Sequence, residues 1–560
     1  MTMDKLLAHY EQELGRLRHA TRLYAEAHPV TAAALELGTD ASTDPEVERL
    51  LQSVALLNAS MQKCIEENQR EFHSALLQTL QPGSMRPMPA CGIVQVDTSA
   101  ASANAISSVS QTVRGALLRA GEHKFTTAYD VCIAPFTIAS VQFQPTLNLP
   151  TTLRLPSNAT SNLAITIESA ASSISFDQPP ITELRLFVQA EPALRAMLLD
   201  ALLMRSLCVY LEAGSTWRVL AQSPFTAAGT ASQESMLPCE EGAQSPRLLL
   251  ELYLLPEKFS FIDINLGQLA ALCPSGCRMM TLHIVLPSGA APLCQANAKN
   301  FQLACTPVIN LFPQSAESIL LDGRSDAYPV VPRKPGCKIY RIQVVTRMDR
   351  EGDRPILPYH GICHAGPGSF WQHDVHDGCA LRFVDRDQRP ARLETGTVSV
   401  QLLCTNLDTR HISDELTSEN GSCGFPMRFL CAPVVSDHLS DPGSLCDALL
   451  GEDTSLPAMS KMLELHGCKY TDSLKRLVAK PVTAWLQHPM GRVHMHGTEF
   501  TLVIDEGSLR EHSIYIFARL LVRTLADKLR ENRFAQLRIA NEAGSILHCT
   551  DPQPGTRRLA

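Results

Sequence analysis

Residues 247–264 have the sequence RLLLELYLLPEKFSFIDI and lie near the middle of the 560-residue chain. A dense apolar run over 248–255 meets Pro256, whose ring fixes its backbone angle and removes an N–H donor. Phe259 and Phe261 then alternate with other residues, which is the spacing of a strand. The stretch predicts a buried element, a sharp turn and a short strand. Because it holds no nucleophile beside a base, no metal-ligand spacing and no phosphate loop, it indicates packing rather than catalysis.

The bulk composition is that of a globular protein with more than one core. At 560 residues the chain predicts two to four domains, at roughly 150 residues each. Its formal net charge of -8, with no long basic run, argues against a general nucleic-acid binder. The charged N-terminus and the lack of an apolar run of about 18 residues predict neither a signal peptide nor a membrane span. The 18 cysteines lack the spacing of a disulfide framework, which indicates reduced thiols in a soluble, cytoplasmic protein.

The hydrophobic periodicity predicts a multidomain α+β protein without internal repeats. We divide it into an N-terminal helical region (1–90), a β-rich, sandwich-like domain with one or two helices (91–300), a second β-rich domain (301–424) and a mixed helical and β C-terminal domain (425–560). Smaller expectations are a helix near 191–205, a linker at 413–424, helices at 445–465, 474–486 and 513–532, and a strand around Phe500.

Two amphipathic helices are predicted in the N-terminal region. The first has apolar residues at helical spacing on one face, and the second begins at Asp44 and Pro45, a cap followed by a proline at the first helical position. The second carries a long apolar stripe that is either internal core or a docking face for another chain. The candidate partner interface comprises Tyr10, Leu14, Leu17, Leu50, Val54, Leu57, Phe72 and Leu76, with Met61 and Ile65 also on the stripe.

The densest group of possible metal ligands lies at 359–379, YHGICHAGPGSFWQHDVHDGC. It holds His360, Cys363, His364, His373, Asp374, His376, Asp377 and Cys379, all of residue types that bind zinc or iron. No pair has the spacing of a zinc finger or of HExxH, and the glycines and proline indicate a loop. No metal or cofactor is therefore expected, and a metal-dependent enzyme using the 360–379 cluster is kept as an alternative function.

A cysteine pair and a histidine pair are weaker candidates for a redox or metal site. Cys273 and Cys277 lack the CxxC spacing of a redox pair, which favours two buried or loop thiols. His494 and His496 point to one side of a predicted strand but lack a third ligand, so we interpret them as a surface pair.

Five blocks of sequence are spread along the chain in a fixed order. They are Tyr10 to Leu14 with DPEVERLL at 44–51, LLPEKF at 254–259, CTPVINLFP at 305–313 with YPVVP at 328–332, LLCTNLD at 402–408, and HGTEFTLVID at 496–505. Together they resemble the TssF family of type VI secretion baseplate subunits over nearly the whole length. The chain departs from the family in the histidine-rich 359–379 region and at 431–470, where no block aligns.

The resemblance implies a non-catalytic structural subunit, similar to the wedge proteins of contractile phage baseplates. Two copies are expected to join one TssG, with TssK, TssE and the VgrG spike as neighbours and self-association within the wedge. Neither nucleic acid nor direct membrane insertion is implied. The protein would lie in the cytoplasm, docked at the inner-membrane secretion complex through partners, and would couple spike and sheath. A free protein-binding adaptor remains the other alternative.

The resemblance also implies a set of structural motif residues: Pro256, Glu257, Lys258, Phe259, Cys305, Pro307, Asn310 and Phe312. At the corner, Glu257 and Lys258 are expected to stay near water while Phe259 and Phe261 enter the core. A Phe259→Ala variant is accordingly expected to lose roughly 3 to 5 kcal/mol of stability.

Overall fold

The computed structural model divides the chain into two compact units. One comprises residues 1–85 and 441–447, and the other 86–440 and 448–560. The residues described exclude 1, 36–43, 81–85, 98–108, 151–152, 239–245, 350–351, 360–367, 375–378, 388, 408–410, 420, 422–423, 436–440, 452, 489–490, 531 and 556–560. Helices and several sheets occur together, which confirms the multidomain α+β class. The four-range division remains a prediction.

The first unit is built from helices α1 (Thr2–Ala27), α2 (Pro29–Ala34) and α3 (Pro45–Leu80). The predicted start of α3 is confirmed, since the Asp44 carboxylate accepts the backbone N–H of Glu46 at 2.8 Å. α1 and α3 run antiparallel, because His9 contacts Glu66 at 3.2 Å and Arg18 contacts Glu48 at 2.5 Å.

The second unit contains the strands, whose bounds are β1 (Cys91–Val96), β2 (Ser110–Thr112), β3 (Leu117–Ala120), β4 (His123–Thr127), β5 (Val131–Ile133), β6 (Phe136–Gln144), β7 (Ser161–Ser169), β8 (Glu183–Val188), β9 (Cys208–Ala213), β10 (Thr216–Val219), β11 (Phe225–Ala227), β12 (Phe261–Asn265), β13 (Met279–Leu286), β14 (Phe301–Gln302) and β15 (Cys305–Ile309). They continue with β16 (Phe312–Ser315), β17 (Ile319–Leu321), β18 (Tyr328–Pro329), β19 (Cys337–Asp349), β20 (Gly352–Ile356), β21 (Phe370–Asp374), β22 (Ala380–Val384), β23 (Gly396–Asn406), β24 (Glu415–Ser418), β25 (Met427–Val434), β26 (Leu474–His488), β27 (Gly491–Ile504), β28 (Arg533–Asn541), β29 (Ile546–Cys549) and β30 (Gln553–Pro554).

The remaining helices are α4 (Pro192–Asp200), α5 (Pro246–Leu254), α6 (Leu266–Ala270), α7 (Pro442–Leu450), α8 (Leu456–Leu465) and α9 (Ile514–Asp527). A π turn at Ala201–Arg205 extends α4, so the helix predicted near 191–205 is present. α9 begins after Ser513, whose hydroxyl accepts the backbone N–H of Ile516 at 3.3 Å.

Two sheets pack face to face as the predicted sandwich. Their strand orders are β10-β9-β13-β7-β6 and β11-β12-β8-β14. One hydrophobic cluster joins them, with Ile165 and Leu282 from the first sheet and Leu186 and Ile262 from the second. Alternating apolar residues from both inner faces build such a core.

Six strands close into a barrel in the order β1-β15-β4-β3-β24-β25. Each strand sends a buried apolar side chain to one cluster: Val94, Val308, Phe125, Leu118, Leu416 and Met427. The prediction of a linker at 413–424 is wrong, because this range contains strand β24. Glu415–Ser418 instead pairs with β25 and β3, since Leu416 fills the barrel interior.

Further sheets have the orders β16-β23-β19-β20 with β17 on β23, β18-β22-β21, and β2-β5. Near the C-terminus, β26-β27-β28-β29 form a sheet with β30 on β28, and β27 and β28 run parallel. α9 covers this sheet, and Phe517, Leu521, Phe500 and Leu537 share one cluster.

The helix predicted at 474–486 is wrong, because this segment is strand β26. Its residues pair in register with β27, and Pro481 lies opposite Thr498. A proline inside a helix would remove a hydrogen bond and clash with the preceding turn, whereas an edge strand tolerates it.

Candidate functional site

The corner at Pro256 has the predicted order of buried element, turn and strand. α5 ends at Leu254, a 3₁₀ turn covers Pro256–Phe259, and β12 follows. Phe259 and Phe261 are 1% and 0% exposed. Phe259 belongs to the cluster around α9, whereas Phe261 packs against Tyr129 with ring centroids 5.3 Å apart. The corner therefore inserts neighbouring rings into two different cores.

The expectation that Lys258 stays near water is wrong. Its side chain is fully buried and forms an ion pair with Glu251 of α5, which is also fully buried. Its ammonium group also lies 3.4 Å from the Gly229 carbonyl and 4.6 Å from the centroid of the Phe259 ring. Burial lowers the pKa of Lys258, and the Glu251 carboxylate opposes that shift. The buried ion pair therefore links the 3₁₀ turn to α5.

The second carboxylate oxygen of Glu251 fixes a loop. It accepts the hydroxyl of Ser235 at 2.6 Å and the backbone N–H groups of Met236 and Leu237 at 2.9 and 3.1 Å. Arg114 donates to the Ser235 carbonyl at 2.6 Å from the other side. Residues 235–237 pair with no described strand, and a buried carboxylate accepts the hydrogen bonds that their backbone N–H groups donate.

A second charged pair lies beside the corner on β8 and β12. Arg185 donates two parallel hydrogen bonds of 2.7 Å to Asp263, the cross-strand neighbour on β12. The same guanidinium group is 3.9 Å from Glu234 and 5.0 Å from the centroid of the Tyr129 ring. A bidentate pair of this kind fixes orientation as well as charge.

Asp200, at the end of α4, caps the N-terminus of α9. Its carboxylate accepts the Ser513 hydroxyl at 2.6 Å and the backbone N–H groups of Ile514 and Tyr515 at 3.1 and 3.2 Å. Burial raises the pKa of Asp200, and these hydrogen bonds oppose the shift. Such a cap satisfies donors that a helix leaves unpaired.

A small pocket, open to solvent, lies between the corner and α9 and is lined by Phe259, Arg195 and His512 among others. Arg195 is already paired with Glu257 at 2.6 Å. Ser513 also lines the pocket, and its hydroxyl donates to the Asp200 carboxylate at the cap of α9.

Asn310 connects two of the sequence blocks. Its amide group donates to the Lys124 carbonyl at 2.7 Å and to the Asn406 side-chain oxygen at 2.8 Å. Its own oxygen accepts the Thr405 hydroxyl and the Asn406 backbone N–H, both at 2.7 Å. CTPVINLFP and LLCTNLD therefore meet at a fully buried, fully hydrogen-bonded amide.

The other motif residues of this block are also buried. Cys305 lies in the barrel strand β15, and burial raises its pKa well above the ordinary range, as it raises the pKa of Cys91 to about 12. Both are therefore thiols at neutral pH and poor nucleophiles. The Pro307 carbonyl accepts the Ala128 N–H at 2.8 Å, and the Phe312 ring lies under Lys124 at 5.7 Å.

The candidate metal cluster lies mostly outside the described residues. His360, Cys363, His364, His376 and Asp377 fall there, and the side chains of His373 and Asp374 are not described. Among the residues the structure describes, no group of three His, Cys, Asp or Glu side chains is placed to hold a metal ion. The described helices also include none with the length and apolarity needed to cross a membrane.

The predicted partner interface separates into two faces. Tyr10, Leu14, Leu17 and Leu76 are half-buried. Four residues of the α3 stripe are exposed: Leu50 by 65%, Val54 by 43%, Leu57 by 65% and Phe72 by 64%. Met61 and Ile65 share this exposed stripe, whereas α3 buries Ala55, Ala59 and Leu77. A helix face of this length, apolar and facing solvent, is typical of a binding surface.

Three residues of the site were not predicted from the sequence: Glu251 at the corner, Asp200 at the α9 cap and Arg185 in the pair between β8 and β12. Glu251 could have been predicted from its neighbours. A glutamate inside the apolar run RLLLELYLL is buried with the run, and a buried carboxylate needs a partner. Asp200 and Arg185 find their partners far along the chain, where no local spacing could reveal them.

The two units define a class of protein: a multidomain scaffold with buried charges that fix loops and helix ends, and a first unit that exposes a long apolar helix face. The sequence model of the family "Type VI secretion system, TssF" matches residues 2–429 and 437–557. The chain therefore belongs to the TssF family. The match includes 437–470, so the departure expected across 431–470 is wrong for most of that range.

Similar proteins agree in length and fold. Type VI secretion system component TssF1 of Pseudomonas aeruginosa is 26% identical over 623 residues, covering 99% of each chain. A chain of the TssK-TssF-TssG baseplate subcomplex, solved by cryo-electron microscopy, has a TM-score of 0.68 at 19% identity and covers 92% of this chain and 99% of its own. A chain of the baseplate complex from the type VI secretion system has a TM-score of 0.51 at 17% identity, with coverage of 99% and 100%.

Proposed function

We propose that this chain is a structural subunit of a type VI secretion baseplate. Its family membership supports this role, and the observation that carries it is the exposed apolar stripe on α3. Water contact at so many large apolar side chains is unfavourable, so a stripe of this length is stable when another chain covers it. The protein holds shape and transmits movement between spike and sheath, and it has no catalytic step.

Two of the proposed partners are named with a similar structure, and the others are expected from membership of the family. The baseplate subcomplex named above contains TssK and TssG, and we assign both as neighbours of this chain. Two copies of the chain join one TssG in a wedge and contact each other there, with TssE and the VgrG spike as further neighbours. The wedge lies in the cytoplasm, and its partner subunits dock it at the inner-membrane secretion complex.

Co-expression with the TssG-family protein of the same system tests this proposal. Light scattering after size exclusion is expected to give the mass of two chains with one TssG. A chain that stays monomeric beside TssG would overturn the baseplate role.

The contribution of α3 is tested with matched variants. Leu57→Asp with Phe72→Asp places charges on the stripe, at side chains exposed by 65% and 64%. Leu320→Asp with Leu407→Asp changes side chains of similar size and exposure, 75% and 67%, in the second unit. We expect the first pair to abolish the complex and the second to leave it intact. Equal behaviour of the two variants would remove α3 from the interface.

A further inference from the structure

The hairpin of β26 and β27 extends beyond the rest of its sheet. These strands stay paired out to His488 and Gly491, whereas β27 pairs with β28 only from His496 onward. Residues 482–488 and 491–496, called the arm below, therefore form a two-stranded ribbon. Among the described residues no third strand pairs with it beyond His496. At about 3.3 Å per residue the ribbon reaches roughly 17 Å past the end of β28.

One face of the arm carries exposed rings and a guanidinium group. Trp485 lies opposite His494 with ring centroids 5.2 Å apart, and His494 lies 6.1 Å from His496 on the same face. The Trp485 side chain is 68% exposed, and Arg492, His494 and His496 are exposed as well. Tryptophan and arginine are the residue types that most often dominate protein interfaces.

The hairpin is cationic in an acidic protein. From 474 to 504 it contains Lys475, Arg476, Lys480 and Arg492 and one acidic residue, Glu499, a charge of +3. The whole chain carries -8, so the rest of it carries -8 - 3 = -11. A basic hairpin with an exposed aromatic centre is complementary to an acidic surface with an apolar recess.

We propose that the arm docks on an acidic protein surface of a neighbouring baseplate subunit. Trp485 is the central anchor, Arg492 lies beside it, and Lys475, Arg476 and Lys480 add positive charge at the base of the hairpin. The inference rests on the proposed function, since the assembly supplies the neighbouring subunit.

Two other classes of partner fit the arm less well. Nucleic acid requires several phosphate contacts for useful affinity, and Arg492 is the only Lys or Arg between 482 and 496. Insertion into a lipid surface requires a continuous apolar segment, whereas Gln487, His488 and Arg492 interrupt the apolar residues of this sequence. An aromatic side chain within a polar rim is the arrangement found at protein interfaces.

The test compares two double variants in the full complex of this chain with its TssG and TssK proteins. Trp485→Ala with Arg492→Glu changes the arm. Val219→Ala with Arg218→Glu changes an exposed apolar residue and an exposed cation on the edge strand β10. Mass photometry measures the concentration at which half of the complex dissociates, at low and at high salt. We expect the arm variant to raise that concentration by about tenfold or more and to weaken its salt dependence, and the control to match the wild type.

The outcomes separate the two proposals. A wild-type chain that forms no complex contradicts the baseplate role, and the arm inference falls with it. A complex that forms equally well with the arm variant overturns the arm inference alone. Wild-type chain that binds phosphatidylglycerol vesicles or duplex DNA through the arm would assign the surface to lipid or nucleic acid instead. Thermal melting checks folding, and if the double variant melts early, Arg492→Glu alone repeats the comparison.

Discussion

Lys258 and Glu251 form the side-chain contact on which the corner at Pro256 depends. Each removes a charge from water. Lys258 is compensated mainly by Glu251, whereas Glu251 also accepts three hydrogen bonds from the loop at Ser235. Removing one partner of such a pair costs more than removing both, because the remaining charge stays buried. The pair therefore specifies the geometry of the corner and the loop at Ser235 more than it adds net stability.

We expect Lys258→Met to lower the free energy of unfolding by about 3 to 5 kcal/mol, because Glu251 would keep its buried charge without a cation. The double variant Lys258→Met with Glu251→Gln should recover part of that loss, because it removes the buried charge and keeps an oxygen that accepts the hydrogen bonds of the loop at Ser235. Urea unfolding followed by circular dichroism measures both values, and Arg218→Met, at an exposed position, is the control. A Lys258→Met protein as stable as the control would contradict the role assigned to the pair.

His466 makes stability depend on pH. Its ring is 5% exposed and its Nδ1–H donates to the Met462 carbonyl at 2.7 Å. Burial lowers its pKa below the ordinary 6.5. The unfolded chain then binds a proton at a higher pH than the folded chain, so stability falls as the pH drops below about 6.5. His283, His512 and His548 have pKa values lowered by burial in the same direction.

We expect a lower free energy of unfolding at pH 5.5 than at pH 7.5, and a smaller difference in His466→Gln, which cannot take up the proton. Urea titrations at the two pH values measure this. His411→Gln replaces an exposed histidine and serves as the control. An identical pH difference in the two variants would show that His466 does not contribute.

The cap of α9 joins α4 to α9, two helices that lie far apart in the chain. Asp200 provides three hydrogen bonds to the first residues of a helix that covers the C-terminal sheet. We expect Asp200→Ala to cost about 2 kcal/mol, near the upper end for a lost cap, because the freed N–H groups remain buried. Asp200→Asn should keep most of the stability, and Asp472→Ala at an exposed site is the control. If Asp200→Ala loses no more free energy of unfolding than the control, the cap does not contribute to stability.

Elements with a strong local pattern could be predicted from the sequence. α3 and α9 have clear caps and apolar stripes, and the strands around Ile165 and Leu282 alternate or are continuously apolar. β26 could not be recognised by spacing alone, because its leucines also fit a helix. Pro481 was the physical signal against that helix, and the pairing partner that fixes the strand is β27, which begins at Gly491.

At the scale of the whole molecule, the barrel shows the limit of local patterns. Its strands come from four separated parts of the chain, and they cross the boundaries drawn at residues 300 and 424. The apolar composition of β1, β15 and β25 predicts burial, but it does not predict which strands pair. The exposed stripe of α3 has the same ambiguity, because core and interface share one composition.

The two units differ in how much apolar surface they bury, and this difference predicts their local stability. Among the described residues of the first unit, the buried apolar side chains are mainly small: Ala32, Ala55, Ala59, Leu77, Leu445 and Cys446. α9 alone buries Phe517, Leu520, Leu521 and Leu525 together with several neighbours. Helices derive most of their stability from such packing, so α1 and α3 should open far more often than α9.

Hydrogen exchange followed by mass spectrometry checks this on the full chain. We expect amides of α3 to exchange at least about tenfold faster than those of α9 in the isolated protein, because opening exposes little additional apolar surface. Addition of the TssG-family partner should slow exchange along 50–72 and leave α9 unchanged, since covering Leu57 and its neighbours removes water from the stripe. Protection of α3 equal to that of α9 before any partner is added would mean that the first unit is stable by itself, and its exposed face would then need another explanation.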